Sequence, residues 1–193
     1  MKKLDFILIL DFGSQYTQLI ARRLRELKVY CEIQPFNIDI EKFLLGRSDN
    51  YEFRGLILSG GPSSVLSKDS PKIDRNVVEN IITAKIPVLG ICYGLQLLCS
   101  MFSGKLHRSK QRQYGNTSVK ILKRGKLFSG IPQSLIVWMS HGDSIDMLPK
   151  GFSITSKSAS DVVSSFEDVS GLVYGLQFHP EVEHTQHGRK ILS

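Results

Sequence analysis

Pro87-Val88-Leu89-Gly90-Ile91-Cys92-Tyr93-Gly94-Leu95-Gln96 runs from a short apolar segment straight into an apolar helix-forming one, through Gly-x-Cys-x-Gly. That is the pattern of a nucleophile elbow with sulfur in place of oxygen, in which a buried strand turns sharply into a helix. The glycines flank Cys92 because a side chain at either position would collide with the neighbouring strand or helix. Working outward, residues 6–10 and 55–59 are similar short apolar runs, ending in Asp11 and in Ser59-Gly60-Gly61 as buried parallel strands would. Helix patterns follow them: residues 16–28 place Leu19, Ile20, Leu24 and Leu27 on one stripe, and residues 73–85 do so with Val77, Val78, Ile81 and Ile82. The rhythm predicts an α/β fold, an open, mostly parallel sheet with helices on both faces. From Gly104 onward, short strands at 117–122, 135–139, 161–166 and 172–178, separated by Gly, Pro and Ser turns, predict added antiparallel strands.

At 193 residues the chain has the length of one α/β domain, 1–193, and no linker or repeat interrupts it. No stretch approaches the run of about 18 apolar residues that a membrane span needs, and residues 6–10 are too short for a signal peptide. We expect no membrane partner. Three cysteines, none in a C-x-x-C pair, suggest neither a disulfide framework nor a metal site, which fits a cytoplasmic location. The net charge of +7 raises the question of nucleic acid. Its basic residues are scattered, however: Arg22, Arg23, Arg25 and Lys28 on one helix, residues 105–112 in an expected loop, residues 123–126 in a turn. No aromatic-interleaved basic motif accompanies them, so nucleic acid is not the expected partner.

The elbow places Cys92 at a helix N-terminus, where backbone dipoles favour a thiolate. Cys31, in a strand, and Cys99, on the Leu95, Leu98, Phe102 stripe, read as core residues. A thiolate needs a base, and the base an orienting group. Leu176-Gln177-Phe178-His179-Pro180-Glu181 offers both, since an extended chain would point His179 and Glu181 to the same side. The paired glycines of Leu58-Ser59-Gly60-Gly61-Pro62-Ser63-Ser64 leave backbone N–H groups uncovered, so the amides of Gly61 and Tyr93 are candidates for a two-donor oxyanion hole.

These segments together resemble the class I glutamine amidotransferases, whose triad is Cys, His and Glu, over nearly the whole chain. Asp11-Phe12-Gly13-Ser14-Gln15-Tyr16-Thr17-Gln18, Leu58 to Val65 and Trp138-Met139-Ser140-His141-Gly142-Asp143 are similar to signatures of the glutaminase domains of GMP synthases. The resemblance implies that Cys92 attacks the side-chain carbonyl of glutamine, that His179 protonates the departing ammonia, and that Glu181 orients His179. It implies glutamine-binding roles for Gln96, Ser140, His141, Gly142 and Asp143. It implies no cofactor in this domain, with ATP and Mg confined to a synthetase domain that would follow in a longer chain, a fragment of which these residues would be. That synthetase would convert XMP to GMP, and the full-length protein would be a homodimer.

Where the resembled family commonly has Arg-Glu-Tyr/Phe-Gly, this chain reads Arg112-Gln113-Tyr114-Gly115, which removes an acid. Two rival readings keep the fold: the amidotransferase component of anthranilate or carbamoyl phosphate synthesis, and a catalytically silent binding domain. The segment at 138–143 argues against the first and the intact Cys92, His179 and Glu181 against the second. Residues 105–112 and 140–143 are the candidate docking surfaces for a synthetase.

Overall fold

A computed structural model describes residues 3–193, without the side chains of residues 110–112. Met1 and Lys2, and the Lys110 and Arg112 side chains of the basic run, lie outside the described residues. The elements in order are β1 (Leu4–Asp11), α1 (Thr17–Glu26), β2 (Tyr30–Pro35), α2 (Ile40–Leu45), β3 (Tyr51–Leu58), α3 (Arg75–Thr83), β4 (Val88–Ile91), α4 (Tyr93–Met101), β5 (Lys105–Ile121), β6 (Ser134–Met147), β7 (Phe152–Ser158), β8 (Val163–Asp168), β9 (Val173–Leu176) and α5 (Gly188–Ile191). One nine-stranded sheet runs in the order β2-β1-β3-β4-β9-β8-β7-β5-β6. It is parallel from β2 through β9 and antiparallel beyond, the additions expected after Gly104.

Alternation along β1 explains the layers, because successive side chains of a strand point to opposite faces. Leu8 and Leu10 pack in one core with Val78 and Ile81 of α3 and with Leu95 and Leu98 of α4. Ile9 packs on the other face, with Ile20, Ala21 and Leu24 of α1. A third core beneath the antiparallel strands joins Val119, Val137, Phe178 and Ile191. Helices therefore cover both faces, and β4 runs between β3 and β9 inside the parallel half.

Several local expectations need correction. Residues 105–112 are not a loop but the first part of β5, whose backbone pairs with β6 from Lys105↔Met147 to Arg108↔Asp143. The charged side chains of Lys105 and Arg108 stay exposed, so polarity there does not oppose pairing. Lys28 lies beyond α1, at φ 63°, after the helix has ended at Glu26. Two elements carry little sequence signal. The six-residue α2 is fixed by Asp39, whose side chain accepts from the Lys42 amide at 3.0 Å. β7 buries hydroxyls where an apolar alternation would be sought: Thr155 Oγ1 and Ser156 Oγ each lie 2.6 Å from Ser165 Oγ on β8.

Candidate active site

At the C-terminal end of β4 the chain turns through Cys92, which has φ 52° and ψ −102°, and enters α4 at Tyr93. A non-glycine residue at positive φ is strained, and such strain persists only where the surroundings over-determine it. The surroundings here are close-packed backbone. A Cβ on Gly90 would stand 2.4 Å from the Gly94 carbonyl, and one on Gly94 would stand 2.3 Å from the Leu58 carbonyl oxygen. The Cys92 amide donates to the Leu176 carbonyl at 2.7 Å and the Gly94 amide to that of Ser59 at 3.1 Å, tying the elbow to both neighbouring strands. Cys31 and Cys99 are buried in the cores, and burial raises both thiols, Cys99 to about 12.

His179 and Glu181 do not continue the strand as an extended reading expects. β9 ends at Leu176 and the chain turns through Pro180. The turn is held by three bonds: the His179 amide donates to the Trp138 carbonyl at 3.0 Å, Thr185 Oγ1 to the His179 carbonyl at 2.6 Å, and Arg23 Nε to the Glu181 carbonyl at 2.9 Å. It still brings the two side chains together, with His179 Nδ1 2.7 Å from Glu181 Oε1. Cys92 lies close enough to the imidazole to act on its charge, while its Sγ donates to the Ser140 carbonyl at 3.4 Å. Burial alone would lower the His179 pKa. The Glu181 charge, the neighbouring Cys92 and the hydrogen bond to Glu181 outweigh it and raise the value to about 10. Glu181 is fully buried, and its Oε2 has no partner among the described residues.

Cys92 borders a cavity of about 470 Å³, walled by Gly61, Tyr93, Gln96, Arg108, Ser140 and Asp143 among others. Gly61 rests on the Phe12 carbonyl so closely that a Cβ would be 2.7 Å from its oxygen. Gln96 is buried and donates to the Asp143 carbonyl at 3.1 Å and to Gln177 Oε1 at 3.2 Å, so it braces the strand at 140–143 and does not cap its helix. The ring nitrogens of His141 meet the Asp143 carbonyl at 2.9 Å and Gln113 Oε1 at 3.2 Å, and burial lowers its pKa. Gln113 thus faces a histidine here, and its amide also donates to Ser158 Oγ at 3.3 Å. Ser64 donates a short hydrogen bond to the Asp143 carboxylate. Sequence reasoning assigned no role to Ser64 and placed Arg108 only in a candidate docking surface, not in the glutamine site. Arg108 reaches the cavity because β5 pairs it with Asp143, a cross-strand neighbour that only the correct strand assignment reveals.

A buried thiol, an imidazole and a carboxylate in sequence at a strained elbow is the arrangement of a cysteine nucleophile with its base. Residues 8–193 match the family Glutamine amidotransferase class-I. The chain belongs to that family. Among similar proteins of this glutamine amidotransferase, a GMP synthase [glutamine-hydrolyzing] of Elusimicrobium minutum is 50% identical over 187 residues, covering 96% of this chain and 35% of the relative. One of Brachyspira hyodysenteriae is 44% identical over 189 residues, covering 98% and 35%. The chain therefore spans about a third of the length of these curated relatives. A solved structure of a candidate GMP synthase component from Thermoplasma acidophilum is 34% identical with a TM-score of 0.84, covering 99% of this chain and 92% of that one. A glutamine amidotransferase structure from Thermotoga maritima, at 24% identity and TM-score 0.72, covers 94% of this chain and 78% of that one and shares the fold. Among the described residues no helix is long and apolar enough to cross a membrane, and no group of three His, Cys, Asp or Glu side chains is placed to hold a metal ion.

Proposed function

We propose that this chain hydrolyses glutamine to glutamate and ammonia through a thioester on Cys92, and that the ammonia serves a synthetase that makes GMP from XMP with ATP. The observation that carries the reading is the Cys92, His179, Glu181 relay at the elbow. Cys92 Sγ attacks the side-chain carbonyl carbon, and the C–N bond breaks as the imidazolium of His179 gives its proton to the leaving nitrogen. Water then attacks the thioester, one of its protons passing to His179, and the C–S bond breaks. Glu181 holds the imidazole by Nδ1 throughout and offsets its charge. The amides of Gly61 and Tyr93 donate to no acceptor among the described residues, which leaves them available to the oxyanion.

The large cavity suits the amino-acid end of glutamine. Its wall carries a guanidinium, Arg108, for the α-carboxylate and a carboxylate, Asp143, for the α-ammonium. Gln96 and His141 hold Asp143 by its backbone carbonyl, so these residues, with Ser140 and Gly142, shape the head-group site. Arg108→Ala should raise KM for glutamine by about 10- to 100-fold with a smaller change in kcat, the loss expected for one charge-assisted hydrogen bond of about 1.5–3 kcal/mol. Steady-state kinetics with a coupled glutamate assay checks it.

The synthetase part rests on the relatives, which carry the name GMP synthase and extend well beyond the matched third. ATP and Mg belong to that synthetase domain in this reading, glutamine being the only substrate held here, and the full-length protein would be a homodimer in the cytoplasm. The experiment is labelling with an electrophilic glutamine analogue followed by peptide mapping. Modification should fall on Cys92, with Cys31 and Cys99 spared because burial keeps their thiols protonated. Labelling confined to either of the other two would overturn the assignment.

A further inference from the structure

A second cavity, of about 340 Å³, opens onto Cys92 from the other side and is walled by Gly13, Ser14, Gln15, Tyr16 and His179. Gly61, Pro62, Cys92 and Ser140 border both cavities, so the nucleophile sits in the partition between them. The two differ in charge. The first carries Arg108 and Asp143, whereas His179 is the only titratable side chain besides Cys92 and Tyr16 on the wall of the second. We propose, resting on the glutaminase reading above, that the second cavity is the door through which ammonia leaves and water enters, and that the segment 13–16 is its frame.

The chemistry of the leaving group fixes the direction. The nitrogen that departs takes its proton from His179, so ammonia forms on the His179 side of the thioester while the glutamyl group still fills the first cavity. The water that attacks next must give a proton to the same imidazole and therefore approaches from the same side. Ammonia and water are small and uncharged, and the one cationic group on this wall, His179, is already paired with Glu181, so the passage neither traps nor repels them. A zwitterionic amino acid finds no unpaired counter-charge among the residues of that wall.

The frame is built rather than loose. Asp11 Oδ1 accepts from the Gly13 amide at 2.9 Å, the Ser14 amide at 3.2 Å and Thr17 Oγ1 at 2.7 Å, and Ser14 Oγ accepts from the Tyr16 amide at 3.1 Å. Gly13 has φ 91°, a conformation that favours glycine. Tyr16 stands edge-on to the His179 ring with centroids 4.9 Å apart, and Gly60 lets the frame approach, since a Cβ there would lie 3.2 Å from both His179 Cε1 and Ser14 Oγ. Gly13 and Gln15 are exposed, so the passage reaches solvent. This gives the Asp11 to Gln18 motif a task that the triad and the head-group site leave unassigned.

The test uses this chain, glutamine, and hydroxylamine as a small competing nucleophile, with two variants: Gln15→Trp to narrow the door and Tyr16→Ala to widen it. The fraction of chain held as glutamyl thioester is read by intact mass after acid quenching, and partition is read as glutamyl hydroxamate over glutamate. Gln15→Trp should accumulate thioester and form less hydroxamate without raising KM for glutamine, and Tyr16→Ala should form more hydroxamate than the parent. A folded Gln15→Trp with parental thioester and hydroxamate, or one whose whole effect is a raised KM, overturns the door. Should Gln15→Trp fail to fold, Tyr16→Ala decides alone, and a parental partition there overturns it. A parent that never forms a thioester with glutamine sinks the glutaminase reading itself, whereas thioester formation with partition indifferent to both variants sinks only the door.

Discussion

Cys92→Ser should reduce glutamine turnover by a factor on the order of 10⁶, the scale on which removing a nucleophile collapses a relay that acts as a unit. Serine preserves the elbow, because it fits the same strained φ of 52° and asks nothing new of Gly90 or Gly94. What it removes is the sulfur that His179 is paired with. Glutamine should still bind, since the head-group side of the cavity is untouched, so the loss belongs in kcat. Equilibrium dialysis of glutamine against the variant, beside ammonia release, separates the two. Turnover within tenfold of the parent would mean that the chemistry uses another group.

The elbow was legible in sequence because its demands are local: two glycines whose Cβ atoms would strike backbone, around one residue at positive φ. The parallel strands were legible for a similar reason, as short apolar runs buried on both faces. What lay beyond local reading depends on partners distant in the chain. β5 looks like a basic loop until β6 pairs with it, and only then does Arg108 stand opposite Asp143. β7 hides because its buried face is satisfied by hydroxyls from β8. The pairing of His179 with Glu181 was foreseen, though its route was not: a turn tied down by Arg23, Trp138 and Thr185 delivers what strand geometry was expected to. Ser64 joins the site through a carboxylate 79 positions away, a contact with no signature in either segment.

Glu181→Gln should leave the fold in place and lower turnover by about 10² to 10⁴, by analogy with neutralising the acid of a serine triad. The carboxamide has nearly the carboxylate's shape, and its oxygen can still accept from His179 Nδ1, so the change isolates charge. Burial pushes the His179 pKa down, and the Glu181 charge is the largest influence pushing it up, to about 10 in the parent. Without that charge the imidazole gives up its proton at lower pH, and the alkaline limb of the kcat/KM profile should move to lower pH in the variant. Stability follows with a definite sign. A histidine whose folded pKa is raised contributes stability fully below its unfolded value of about 6.5, and that contribution is lost as pH rises through about 10. The parent should therefore exceed the variant in urea resistance most clearly near pH 6 and by a narrowing margin toward about pH 10. An unshifted alkaline limb together with a pH-independent stability gap would show that a group other than Glu181 sets the charge on His179.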